Sequence, residues 1–184
     1  MPNWCNNYVT ITGPKDQIDM LIVECEKSNE RDISYEILNK LRPRPVDEEE
    51  NWYSWNVENW GTKWDINLAG YEVIDENTVT LSFDSAWSPP TALYEYLVEQ
   101  EWEVDAYYYE PGMAYCGRFV DGQDEYYDYT DMSADEVEEN LPSEINEMFG
   151  ISEDMRQWEE ENAEDEDWDP ETELDKIVNE TKVD

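Results

Sequence analysis

The amino-acid sequence predicts an α+β fold: an antiparallel sheet with two helices on one face, followed by an acidic helical extension. Three observations predict it. Short segments alternate apolar and polar residues as half-buried strands do, segments of helical periodicity separate them, and acidic residues crowd the second part of the chain.

Tyr8-Val9-Thr10-Ile11-Thr12 alternates as a strand, and Gly13-Pro14 ends it. Ile18, Leu21, Ile22 and Cys25 then fall at i, i+3, i+4 and i+7, so residues 14–28 read as a helix laid on a core. Tyr35, Ile37, Leu38 and Leu41 continue the apolar pattern until Pro43 and Pro45 stop any regular element. An aromatic segment with Trp52, Trp55, Trp60 and Trp64 follows, leading into an expected strand that puts Trp64, Ile66 and Leu68 on one face. From Asn77 a second alternation sends Val79, Leu81 and Phe83 inward, with Thr80, Ser82 and Asp84 outward. Ser88-Pro89-Pro90 reads as a helix start with Ser88 as N-cap, and Leu93, Tyr96 and Leu97 form the stripe of that helix. Trp102, Val104 and Ala106 give a further strand, and 112–120 an additional one closing on Gly122. The order β-α-β-β-α-β with one added strand is the split βαβ, ferredoxin-like arrangement, expected over 1–130.

Beyond 130 the pattern changes. Ser133 and Glu136 have capping-box spacing, and Val137, Leu141, Ile145 and Met148 make a narrow stripe that Pro142 is expected to kink. Ser152 is a candidate cap for the next helix and Asp169-Pro170 for a last one, with Glu159 to Asp169 as the expected flexible link. The region 131–184 thus reads as an acidic helical extension.

Charge narrows the function classes most. The 184 residues carry 49 acidic and 11 basic groups, a formal charge of −38. Residues 1–45 hold six basic and seven acidic groups, so nearly all of the excess lies further on. Such a chain repels phosphates and has few cations with which to release counterions, which argues against direct binding of DNA or RNA. Nine Trp and thirteen Tyr nevertheless supply enough burial for a folded core, despite a mean hydropathy of −0.91. Apolar runs are too short to span a membrane, and MPNWCNN lacks the marks of a signal peptide, so a cytoplasmic protein is expected. Cys5, Cys25 and Cys116 are odd in number and far apart, which predicts reduced, buried thiols without a disulfide or zinc site.

Three strings, MPNWCNNYVTITG at 1–13, ENWGTKWD at 58–65 and FDSAWSPP at 83–90, together resemble the YubB-type ferredoxin-like family of phages, plasmids and other mobile elements. A weaker likeness continues through Glu110-Pro-Gly-Met113, Gly117 and Asp121-Gly122, so that it covers about 1–125. The resemblance implies the fold and a mobile-element origin; it carries no catalytic residues, and the acidic extension departs from the family pattern.

Chemistry offers few other openings. With no histidine, a Ser-His or Cys-His pair is impossible, and no phosphate-binding or nucleophile-elbow motif occurs, so no cofactor is implied. Asp65, Asp84 and Asp105 lie out of phase with the apolar residues around them and are candidate Mg²⁺ ligands on an open sheet face; the alternative is a solvated acidic face. Lys63, between Trp60 and Trp64, is a candidate anion contact, or else the indoles plug the sheet and Lys63 meets a carboxylate. The tyrosines of 107–109 and 126–129 fit a protein interface, or half-exposed strand positions.

The leading expectation is mimicry of DNA by carboxylates, directed at a basic host protein that normally binds DNA or RNA, such as a defence nuclease. B-DNA carries one charge per about 3.4 Å along each strand. Residues 121–184, with 26 acidic and three basic groups, would as one helix of about 96 Å show one net charge per about 4 Å, and paired helices would match or exceed a strand. The candidate contacts are Asp124, Glu125, Tyr126, Tyr127, Asp128, Asp131, Asp135, Glu136, Glu138, Glu139, Glu159, Glu160, Glu161, Asp165, Glu166 and Asp167. Two other classes stand beside it: a metal-dependent phosphoryl-transfer enzyme on the aspartate trio, and an assembly module, such as a homodimer, paired through Leu141, Ile145, Met148, Leu174, Ile177 and Val178.

Overall fold

A computed structural model of the chain describes residues 3–27 and 36–166, with side chains as far as 162. Two compact units divide at Thr130, Met1–Thr130 and Asp131–Asp184.

The first unit is built on one antiparallel sheet of β1 (Trp4–Thr12), β2 (Asn67–Val73), β3 (Thr78–Ala86), β4 (Glu103–Glu110), β5 (Tyr115–Val120) and β6 (Gln123–Asp128). Their order is β2-β3-β1-β4-β5-β6. The first four strands in this order are the split βαβ arrangement, and two hairpins extend it by β5 and β6. Six strands therefore stand where the alternation predicts five. The extra strand, β6, lies at the sheet edge with nearly every residue exposed, so it has no hydrophobic alternation to betray it.

Between β1 and β2 run α1 (Lys15–Glu26), α2 (Ile37–Leu41) and α3 (Trp52–Asn59); α4 (Thr91–Glu99) joins β3 to β4. Pleating sends alternate residues of each strand to opposite faces. Val9 and Ile11 pair with Leu81 and Val79 on one side and with Ala106 and Val104 on the other, and all six are buried. Ile18, Leu21 and Cys25 of α1 and Leu93, Tyr94 and Leu97 of α4 close over this face to complete the core. On the opposite face Thr10 and Thr12 bond the hydroxyls of Thr80 and Thr78, each at 3.1 Å. Two glycines permit close approaches: a Cβ on Gly13 would strike the Trp102 ring, and one on Gly117 the Tyr108 hydroxyl and the Glu125 carbonyl.

Several expectations are corrected here. Trp64 and Ile66 precede β2 rather than lying in it, and the aromatic segment 52–59 is the helix α3. Only Asn56 of α3 is buried, so no apolar stripe announces the helix. Pro90, not Ser88, is the N-cap of α4, and the Ser88 hydroxyl instead donates to the Gly61 carbonyl. Tyr94, rather than Tyr96, joins Leu93 and Leu97 in the buried stripe.

The second unit contains α5 (Ala134–Asn140), α6 (Ser143–Phe149) and α7 (Ile151–Glu166). Ser133 forms the full capping box with Glu136. Pro142 does not kink a single helix; it separates α5 from α6 as the N-cap of the latter. Gly150, left-handed at φ 64°, ends α6. Ser152 sits inside α7, where its N–H and hydroxyl both meet the Asn146 side chain, at 2.8 and 2.9 Å. The stretch 159–166, expected as a link, continues α7 as helix; 167–169 and the expected last helix lie outside the described residues. Ala134, Val137, Leu141, Ile145 and Ile151 are buried.

Candidate protein-binding surface

In α5 the buried residues are Ala134 and Val137, three apart on one face, so Asp135, Glu136, Glu138 and Glu139 all turn to solvent. In α7, Ile151 and Ser152 are buried while Glu153, Asp154, Glu160 and Glu161 are exposed. The two helices pack together and run antiparallel, because Ala134 donates its N–H to Glu159 at 2.9 Å while Arg156 meets Asp135 at 3.1 Å and Glu138 at 2.6 Å. Arg156 thus clasps two acidic helices that would otherwise repel each other.

Several candidate carboxylates have structural duties. Glu159 caps the N-terminus of α5, and Glu136 accepts the Ser133 N–H and hydroxyl, which holds its carboxyl below the usual range. Asp135 and Glu138 are joined to Arg156, and Glu161 accepts from Gln157 at 2.9 Å. Asp131, Glu139 and Glu160 remain exposed on this unit. Asp165 and Glu166 belong to α7, though their side chains lie outside the described residues, as does Asp167 altogether. One exposed aromatic escapes the sequence pattern: Trp158 is 65% exposed on α7, among Asp154, Glu159, Glu160 and Glu161. Its exposure runs against the helical pattern, because Trp158 falls at i+7 from Ile151 and i+3 from Met155, in phase with the buried start of α7.

The remaining candidates belong to β6 in the first unit. Pleating divides them: Asp124, Tyr126 and Asp128 share one face of the strand, with Glu125 and Tyr127 on the other. The Tyr108 hydroxyl donates to Asp124 at 2.7 Å, and burial nevertheless pushes the Asp124 carboxyl above its ordinary range. Thr130 donates its hydroxyl and N–H to Asp128, holding that carboxyl low. Tyr126 is 55% exposed, whereas Tyr129 is buried and stacks on Tyr109 at 6.4 Å.

The aspartate trio is not brought together. Asp84 lies opposite Asn6 and Asp105 opposite Thr10, so on their shared open face they are two strands and four residues apart, roughly 16 Å. Asp84 accepts from Asn6 at 2.7 Å, and Asp105 grips the Arg118 fork at 2.8 and 2.9 Å. Asp65 is on no strand. Its two oxygens accept the N–H groups of Leu38, Asn39 and Ile66, at 2.9, 3.0 and 2.9 Å, so it caps α2 from a distance in sequence. Burial pushes its carboxyl up to about 6 against the pull of those donors. Among the described residues no group of three or more Asp, Glu or Cys side chains is placed to hold a metal ion.

Among the described residues Lys63 meets no carboxylate within ion-pair distance. Its ammonium rests over the Trp64 ring at 4.6 Å and the Tyr53 ring at 5.8 Å, while Trp60 is buried and donates its indole N–H to the Arg42 carbonyl at 2.9 Å. Leu141 and Ile145, expected to pair copies of the chain, are buried within it; Met148 is 41% exposed, and Leu174, Ile177 and Val178 lie outside the described residues. Cys5, Cys25 and Cys116 are free and buried, each thiol pushed up to about 12 by burial, so none is a ready nucleophile. Among the described residues no helix is long and apolar enough to cross a membrane.

Neither a family model nor a curated protein matches the sequence. A crystal structure of a protein api92 from Yersinia pseudotuberculosis, family model DUF1281, is similar at 12% identity and a TM-score of 0.45, over 70% of this chain and 98% of that one.

Proposed function

We propose that the protein is a non-catalytic, cytoplasmic DNA mimic whose acidic helices occupy the basic cleft of a protein that normally binds DNA or RNA. One observation carries this reading. α7 holds eight acidic residues and one arginine in 16 residues, a rise of about 24 Å, which is one net charge per about 3.4 Å. That is the line density of a single B-DNA strand. The acids are held on helices, and α5 adds four more in seven residues alongside. An ordered array binds more tightly than a floppy acidic tail, because less freedom is lost when it docks.

Many carboxylates steer encounter over long range but add little affinity each, so short-range anchors are needed. Trp158 supplies one in the second unit and Tyr126 another in the first. A mobile-element origin, as the resemblance to the YubB-type family implies, fits a target among host defence proteins.

The test is capture from a bacterial lysate with the full chain as bait, followed by elution with duplex DNA. The expected result is a bound protein that duplex DNA displaces and that roughly 0.5 M salt releases. Capture that ignores both competitor DNA and salt overturns the proposal.

A further inference from the structure

The chain's scarce cations are not evenly used. Lys15, Lys27, Lys40, Arg118 and Arg156 each pair with a carboxylate, whereas among the described residues Arg42, Arg44 and Lys63 have none within ion-pair distance. In a protein with 49 acidic groups this is unexpected, and all three lie around α3. Arg42 donates to the Asn59 carbonyl at 2.8 Å and covers the Tyr96 ring at 4.5 Å, and Lys63 lies over Trp64. Arg44 makes one side-chain bond, from Nη1 to Asn56 Oδ1 at 2.9 Å. Its Nε and Nη2 have no acceptor among the described residues.

Arg44 borders a cavity of about 220 Å³ walled by Trp52, Trp60 and Trp64, with Asn39 and Asn56 beside it. Asn56 is itself buried and fixed by bonds to both Arg44 and the Lys63 carbonyl, so the guanidinium is held from behind with its outer edge free. Two acids also line the cavity, but both are engaged. Asp65 spends its oxygens on three N–H groups, and Glu36 lies 3.9 Å from Lys40. Charges elsewhere on the surface are screened beyond about 8 Å at physiological salt, and of the charged groups lining the cavity only the guanidinium presents free N–H donors to an oxyanion.

We infer that this cavity binds a small aromatic anion: one ring seated among the tryptophans, with a single carboxylate or phosphate on the open fork of Arg44. A planar fork matches both oxyanions in two-point fashion, and indole faces stack on rings. The volume lies below the roughly 300 Å³ at which drug-sized pockets begin, which limits the ligand to about one ring system. The site shares no residue with the acidic helices, so it stands or falls independently of the proposed mimicry.

The experiment is an NMR titration of the full chain with phenylacetate and, separately, phenyl phosphate, read on the indole N–H signals. Saturation at one ligand per chain is expected, with a dissociation constant on the order of 1 mM for so small a ligand. Neutral phenylacetamide, and plain acetate or inorganic phosphate, should each bind at least about tenfold more weakly. The two aromatic probes show which oxyanion the fork prefers. Arg44→Gln should weaken binding about tenfold, and Trp52→Ala, which removes a ring already 39% exposed and so leaves the fold intact, should weaken it several-fold. Equal binding of phenylacetamide, indifference to Trp52→Ala, or no saturable shift overturns the assignment even should Arg44→Gln fail to fold.

Discussion

Replacing Asp65 by alanine removes the acceptor of three backbone N–H groups at once, those of Leu38, Asn39 and Ile66. Two of them open α2, and the apolar side chains around them, Ile37, Leu38 and Ile66, are 0%, 2% and 3% exposed. Water reaches such amides poorly, and each unsatisfied one costs about 1–3 kcal/mol. Loss of a helix cap alone costs about 1 kcal/mol, and some rewetting is expected because Asp65 is half-buried. The predicted loss for Asp65→Ala is therefore about 2–4 kcal/mol, a large share of a typical 5–15 kcal/mol stability. Urea unfolding followed by tryptophan fluorescence measures it, at an unchanged denaturant slope. Asp65→Asn keeps one acceptor oxygen and should lose about half as much. Asp84→Ala removes one acceptor on the open face and should cost under about 1 kcal/mol. A loss below about 0.5 kcal/mol in Asp65→Ala, or equal losses in the Ala variants of Asp65 and Asp84, would refute the capping role.

The same carboxylate makes a pH prediction. Its folded value of about 6 lies above the ordinary 3.8, so the folded state holds the proton more tightly, and wild-type stability relative to Asp65→Asn should fall as pH rises from about 4 to about 6. The fall is at most about 3 kcal/mol, and a rise across that window in urea titrations would contradict the burial argument. Gly117→Ala forces a Cβ into the Tyr108 hydroxyl and the Glu125 carbonyl and should cost about 2–3 kcal/mol by thermal or urea unfolding, with loss of the Tyr108–Asp124 bond. For the captured partner, Trp158→Ala should weaken binding at least about tenfold in calorimetry while leaving stability within about 0.5 kcal/mol, since that ring is already in water. Joint replacement of Glu139, Glu160 and Glu161 by glutamine should flatten the salt dependence of binding, and an unchanged slope would remove the acidic helices from the interface.

The strands β1 and β3 and the start of β4 were legible because they bury one side more than the other, as Val9 and Thr10, Leu81 and Ser82, or Val104 and Asp105 illustrate. The capping box at Ser133 was legible because it is local, four residues in a row. What stayed hidden depends on distant partners. Asp65 looked like an outward strand residue, since nothing nearby in sequence reveals that it caps a helix 26 and 27 residues away. α3 escaped because only Asn56 of it is buried: Trp52 lines a cavity, and Trp55 meets Trp60, just past the helix, edge-on at 5.6 Å. The acidic composition pointed to a charged surface, but only the packing of α5 on α7 distinguishes structural carboxylates such as Glu159 from exposed ones such as Glu160.

An open sheet invites a stranger at each border, since unpaired peptide groups there can template another chain. In this sheet one border, β6, presents Asp124, Glu125 and Asp128 within six residues, and the other, β2, is broken by a bulge between Leu68 and Gly70. Two copies approaching border to border at neutral pH would set like charges against each other or fail to match a continuous register. The growth of the sheet is thereby arrested at six strands, and concentrated solutions should withstand stacking into fibrils until acid neutralises β6.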